Sequence, residues 1–238
     1  MLPVDVKILK YFLYDQFFYK HKILKAKQHP SFETVKQSIE QFESTHDAQT
    51  DLSNCTFTIF DLETTGFFPD LSDEIISIGA VKVKNLQVIY EDTFYSVIKP
   101  LGSVPQHTEE LTGLSRKEIH KGARFPLALH KFLAYSQNTI LVAHPASFDI
   151  NFLQKTIEKW GLPSFSPAYI DSLRLANWLH HSKNNYLDDL VARYHIQTRE
   201  RHHALNDALM TAEIFTHLME ECKQEGIMTY KEIQQLMK

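Results

Sequence analysis

Glycine is scarce and scattered in this chain, 7 residues in 238, so there is no glycine-rich loop to wrap nucleotide phosphates against a helix N-terminus. Cysteine is scarcer still. Cys55 and Cys222 lie in apolar segments without metal-ligand spacing, which excludes a disulfide scaffold and reads as reduced thiols in a cytoplasmic protein. No apolar run reaches membrane length. The stretch MLPVDVKILKYFLYDQFFYKHK is broken by Asp5, Lys7, Lys10 and Asp15, leaving neither a signal-peptide core nor a bilayer span. A basic excess is also missing: 25 Lys and Arg stand against 29 Asp and Glu, a net charge of −4. That balance argues against a protein that coats nucleic acid through a broad cationic face. Internal repeats and low-complexity segments are absent.

What the chain does have is 43% apolar residues, enough for one sizeable domain plus an appendage, and four acids that no packed core requires. Asp61 and Glu63 stand in FDLETTG, at the end of the apolar run Cys55 to Leu62. Residues two apart in a strand share a face, so the two carboxylates project side by side. Held that close they repel, lose solvation and rise in pKa, and a bound divalent cation is the usual remedy. Thr64, Thr65 and Gly66 break the strand, which puts the pair at its carboxyl end, where open α/β sheets bind ligands. Asp149 follows the strand-like run Thr139 to Ala143 and opens an apolar-periodic segment through Ile150, Phe152, Leu153 and Ile157. Asp207 lies early in a helical stripe of Leu205, Ala208, Leu209, Ala212, Phe215 and Met219, a period of 3.6. His202 precedes Asp207 by too many positions to share a face of that helix, and so falls in a loop or first turn. His203 reads as a helix-start residue.

In this order the segments resemble the DEDDh family of 3′-to-5′ exonucleases, which includes the proofreading epsilon subunit of bacterial DNA polymerase III. Phe60 to Gly66 is similar to the first motif, with Asp73 to Val81 following as in the family. Val142 to Asp149 resembles the second, and His202 to Ala208 the third, in its histidine form. Glu110 to Leu114 and Tyr169 to Leu173 are further landmarks, so the likeness covers about Asn54 to Cys222. One departure is Pro145, where the second motif usually carries asparagine; proline fixes φ and removes an N–H donor.

The resemblance implies that Asp61, Glu63, Asp149 and Asp207 hold two Mg²⁺ or Mn²⁺ ions, and oxygen ligands do suit such hard cations. It implies that His202, whose side chain titrates near ~6.5 when unperturbed, takes a proton from attacking water. Leu62 and Thr64 (through their backbone) and the Thr65 hydroxyl are implied to contact the terminal sugar, with His144 and Phe148 against the scissile end. Aromatic faces stack on any base, but Phe148 reads equally as core packing and His144 as a satisfied loop histidine. The implied partners are single-stranded nucleic acid 3′ ends, with DNA favoured. RNA trimming, or a catalytically silent binding module of the same fold, are the alternatives; the intact set of acids and histidine argues against the silent one. An enzyme acting at chain ends needs only a few cations on the approach. Lys117, Lys121 and Arg124, or Arg193, Arg199 and Arg201, are near the motifs in sequence, although each also reads as a solvated helix face.

Strand-like runs at about 55–62, 74–84 and 88–98 follow without intervening helices and predict an antiparallel meander. Helical stretches near 107–120 and 125–136, a strand at 139–143, a helix to about 160 and a short strand near 168–171 complete the pattern. The fold class is α/β, and the resemblance implies a ribonuclease H-like mixed five-stranded sheet flanked by helices, with an N-terminal helical extension. Residues 1–53 are expected to be that extension plus a polar linker, Ser44 to Ser53; residues 54–222 the exonuclease domain; and 223–238 a C-terminal helix. The aromatic-rich stretch Ile8 to Leu24 and the pattern Val35, Ile39, Phe42 predict two helices. They are expected to dock on the domain, or else to offer a surface to a polymerase or a second copy. Thr229 to Lys238 reads as a short helix rather than a long polymerase-tethering tail.

Overall fold

A computed structural model describes residues 4–28, 31–43, 49–181 and 184–237. The β-branched and aromatic run Thr56–Thr64 forms β1, which pairs antiparallel with β2 (Ile75–Lys84), itself antiparallel to β3 (Gln87–Lys99). Strand β4 (Ala123–Arg124) adds to β3 in parallel, while β5 (Ile140–Ala143) and β6 (Tyr169–Asp171) add in parallel on the other side of β1. The order is β4-β3-β2-β1-β5-β6, a mixed sheet of six strands rather than the expected five. The extra strand is two residues long, too short to leave a period in the sequence.

Helices cover both faces. Preceding the sheet are α1 (Val4–Lys10), α2 (Gln16–Lys27), joined to it by a π-helical turn over Tyr11–Asp15, and α3 (Ser31–Glu40). Next come α4 (Gln106–Thr112), α5 (Arg116–Lys121), α6 (Phe125–Ser136) and α7 (Ala146–Lys159). The last four are α8 (Ser172–His180), α9 (Leu187–Arg193), α10 (Ala204–Gln224) and α11 (Tyr230–Leu236). The predicted helix over 107–120 is two helices. Gly113 ends α4 in the left-handed region at φ 68°, and Ser115 with Glu118 forms a capping box that starts α5.

Alternation along β1 sorts its side chains between two cores. Phe57 and Ile59 join Met210, Phe215 and Leu218 of α10, and the Phe57 and Phe215 rings meet edge to face at 4.9 Å, a contact worth about 1 kcal/mol beyond its buried area. Phe60 and Leu62 join Phe132 of α6 and Phe152 and Leu153 of α7. Asp61 and Glu63, in phase with Phe57 and Ile59, therefore face the α10 layer. The extension docks on the other layer: Ile23 of α2 and Val35 and Ile39 of α3 are buried in that core. Of the expected linker, residues 44–48 lie outside the described residues, and Leu52–Asn54 forms a 3-10 turn whose Leu52 is buried. Tyr230 and Ile233 of α11 close the α10 side.

Candidate active site

Four carboxylates from three elements come close enough for their charges to interact, those of Asp149, Glu63 and Asp207 all acting on Asp61. Asp61 and Glu63 come from the end of β1, and Asp207 from the first turn of α10, where its N–H bonds to the His203 carbonyl. Asp149, in the first turn of α7, belongs to the opposite layer, yet it bends round the strand end and its Oδ1 accepts the Leu62 N–H at 3.2 Å. Glu63, Asp149 and Asp207 are buried. Burial above all, then the charges of Asp149, Glu63 and Asp207, pushes Asp61 well above the usual carboxylate range. Asp149 is raised by burial against the pull of the Leu62 N–H. Glu63 is pushed up to about 8, by burial first and the Asp207 charge second, with Arg201 opposing.

His202 stands at φ 60°, a left-handed conformation that costs a side-chain-bearing residue about 1 kcal/mol or more. The twist turns its N–H onto Asp207 Oδ2 at 3.1 Å. One ring nitrogen of His202 and carboxylate oxygens of Glu63 and Asp207 all lie within 4.8 Å of one another. The second Asp207 oxygen, Oδ1, is buried with no hydrogen-bond partner, a loss of solvation that calls for a donor or a cation. Crowded carboxylates held above their normal pKa around an orphaned oxygen are a donor set that fits small divalent cations.

Other predicted residues fall less simply. Leu62 is buried and its N–H is spent on Asp149. Thr64 is half-buried, its hydroxyl donating to the Gly66 carbonyl at 2.7 Å. The Thr65 hydroxyl, expected at a terminal sugar, is instead buried in the turn, accepting the Glu74 N–H at 2.9 Å. His144 Nδ1 lies 2.9 Å from the Ser172 hydroxyl, whose own proton goes to the Ala143 carbonyl, so Nδ1 carries the hydrogen. Burial, opposed by Asp171, lowers His144 to about 4. Pro145, with a cis bond to His144, caps α7 and accepts the Phe148 N–H at 3.1 Å. Phe148 packs partly against the α7 core and meets Phe67 edge to face at 6.1 Å.

Two features escaped the sequence reading, and Arg201, expected as a cation on the approach or a solvated helix face, takes another role. Phe67, 68% exposed, extends the Phe148 surface outward. Tyr95 of β3 stacks on His203 at 4.7 Å. Arg201 grips Asp207 Oδ2 at 2.5 Å and Asp188 Oδ1 at 2.7 Å, so it is a structural counter-ion to an acid of the site. Arg199 is likewise paired, with Glu213 at 3.1 Å.

The sequence profile of the RNase_T family, described as Exonuclease, matches residues 58–215. The chain belongs to this exonuclease family. It is 36% identical over 183 residues to the PolC-type DNA polymerase III of Thermotoga petrophila, covering 77% of this chain and 13% of that one. The PolC-type polymerase of Caldanaerobacter subterraneus is 35% identical over 182 residues, with 76% and 13% covered. The exonuclease chain thus spans about an eighth of the length of these relatives. Among solved structures, the nuclease domain of 3′hExo, a DEDDh family member bound to rAMP, superposes with a TM-score of 0.64 at 19% identity, covering 72% of this chain and 95% of that one. Exonuclease X in complex with 5′ overhanging duplex DNA gives 0.60 at 18%, covering 76% and 99%. These likenesses place the fold among the ribonuclease H-like exonucleases.

Proposed function

We propose that the protein is a metal-dependent 3′-to-5′ exonuclease that hydrolyses the terminal phosphodiester bond of a nucleic acid strand and releases nucleoside 5′-monophosphates. The observation that carries this reading is the convergence of Asp61, Glu63, Asp149 and Asp207 at one strand end, with an unpartnered Asp207 oxygen and the His202 ring beside Glu63. Asp61, Glu63, Asp149 and Asp207 would hold two Mg²⁺ or Mn²⁺ ions, which when bound supply charge stabilisation to the oxygens of an in-line displacement. His202 takes the proton of the attacking water; the water oxygen bonds to phosphorus, the P–O3′ bond breaks, and the released 3′ oxygen takes a proton from solvent water. Thr64 and Phe148, with Phe67 beside it, flank the place of the terminal nucleotide, and an aromatic edge there holds a base without reading its identity. His144, neutral above about pH 4, adds no charge of its own near the scissile phosphate. Similarity to DNA polymerase III chains favours DNA over RNA, a cytoplasmic setting, and work beside a polymerase.

No described helix is long and apolar enough to cross a membrane. The deciding assay is mononucleotide release from single-stranded DNA labelled at either end, with Mn²⁺ and with EDTA. Chelator-sensitive release from the 3′ end is expected, and an Asp61→Ala variant should lose it. Release that ignores EDTA and survives this substitution would overturn the reading, and first release from the 5′ end would overturn its polarity.

A further inference from the structure

The net charge of −4 conceals an uneven distribution along one edge of the sheet. Strands β1 and β3 are each antiparallel to β2, and β4 is parallel to β3, so β1, β3 and β4 end on the same edge. That edge carries Glu63 on β1, Lys99 on β3 and Arg124 on β4. At about 4.8 Å between neighbouring strands, the backbones of β3 and β4 run roughly 10 and 14 Å from that of β1. Three adjoining cavities of about 820, 470 and 640 Å³ are all lined by Lys22 and Leu101. The first opens on Thr65, two residues beyond Glu63, and the third ends on Lys25 and Arg124. Together they form a trough whose near end is the Thr65 turn that follows Glu63 and Thr64.

The trough is a built feature. Its outer wall is α2, and the buried Glu74 carboxylate ties that helix to the sheet, accepting the Tyr19 hydroxyl at 3.0 Å and the Leu101 and Gly102 N–H groups at 2.7 Å each. A Cβ on Gly102 would stand 2.5 Å from the Tyr19 hydroxyl, so a side chain there would have to push the Tyr19 ring aside. Lys22 is held against the Leu101 carbonyl at 2.6 Å and lies 4.0 Å above the Phe18 ring. Among the described residues, Lys22, Lys25, Lys99 and Arg124 have no carboxylate partner, whereas Lys10 at the same wall is matched by Asp15 at 3.6 Å. Tyr14 and Phe18, 70% and 46% exposed, line the first cavity, the one that reaches the Thr65 turn.

We infer that the trough carries the upstream part of a single-stranded nucleic acid whose 3′ end occupies the candidate active site, which makes the N-terminal helix α2 a substrate-binding element. The inference rests on the exonuclease reading for the direction of the strand. Cations without carboxylate partners around the second and third cavities suit phosphates, and accessible aromatic rings in the first suit unstacked bases. Continuity with the Thr65 turn is what selects a polynucleotide over an acidic protein as the occupant.

The test is binding of the full chain in EDTA, where hydrolysis plays no part, to fluorescent thymidine strands of roughly 20 and roughly 3 nucleotides. The variant K25E/K99E/R124E is expected to bind the long strand at least roughly tenfold more weakly, with the slope of log affinity against log salt reduced by about 2. The deficit should shrink on the short strand, and an unchanged melting temperature would show that the variant is folded. The milder K25A/R124A variant, both of whose side chains are exposed, should show a smaller loss of the same kind. Equal affinity of wild type and variants for the long strand would overturn the inference, as would a wild type that binds both lengths equally. Loss of binding to a polyglutamate peptide, with thymidine binding intact, would overturn it in favour of an acidic protein partner. Because no hydrolysis is read, failure of the release assay above would leave this result standing and would count against the catalytic reading alone.

Discussion

The proposed chemistry turns on His202, whose backbone and ring do different things. Its N–H, turned by the positive φ, steadies Asp207, while the ring faces Glu63 and Asp207. A His202→Ala variant keeps the backbone contact and loses the ring, so we predict a fall in kcat of roughly 10² to 10⁴-fold with KM little changed, measured by single-turnover release of labelled nucleotide. The rise in melting temperature on adding Mn²⁺ should persist, since the acids are intact. If that rise disappears along with the activity, His202 is a metal ligand and its role as a base is wrong. This residue was legible in the sequence because its spacing to Asp207 resembles that of the family's third motif, while the same spacing keeps it off the face of the helix that carries Asp207. The grip of Arg201 on Asp207 was not, since nothing in local sequence states which of several arginines a tertiary fold turns inward.

At the scale of elements, the site depends on how closely α10 lies on the sheet. Gly79 of β2 is paired in register with Asp61, and a Cβ there would stand 2.2 Å from Leu205 N and 2.3 Å from the Ala204 carbonyl carbon. Those atoms belong to the first turn of α10, the turn that carries Asp207. Gly79→Ala must therefore lift the helix start from the strand that opposes Asp61. We predict a loss of about 1–3 kcal/mol in stability by urea unfolding, together with weakened Mn²⁺ binding; wild-type values of both would sink the argument. The meander, α6, α7 and α10 could be read from period and turn residues, because each buries a stripe or face wide enough to leave one. Strand β4 could not, and neither could the docked face of α2, where aromatic residues run right round the helix: Tyr19 and Ile23 are buried while Phe17 and Leu24 are exposed.

For the whole molecule, the buried carboxylates set a pH dependence whose sign can be derived. Glu63 is raised from 4.5 to about 8, and Asp61 and Asp149 are raised as well, so without metal the folded chain binds more protons than the unfolded one. The stability this gives is fully present below the unfolded pKa and is lost as pH climbs through the folded one, at up to about 1.4 kcal/mol per pH unit for each group. His144, lowered from 6.5 to about 4, acts the other way, but only below pH 6.5. Lys82, lowered from 10.5 to about 8 by burial, opposes only above about pH 8. Between about pH 6.5 and 8 the carboxylates act without these two opponents, and a cation that neutralises them should remove the decline. We predict that in EDTA the melting temperature falls across this window. Saturating Mg²⁺ or Mn²⁺ should restore it, with a larger metal-induced rise near pH 8 than near pH 6.5, because metal must displace fewer protons there. Differential scanning fluorimetry of the wild type and an Asp61→Asn/Glu63→Gln variant reads the effect directly. A metal-induced rise independent of pH, or one that survives in the double variant, would show that the cations bind elsewhere and that the clustered acids are held for another reason.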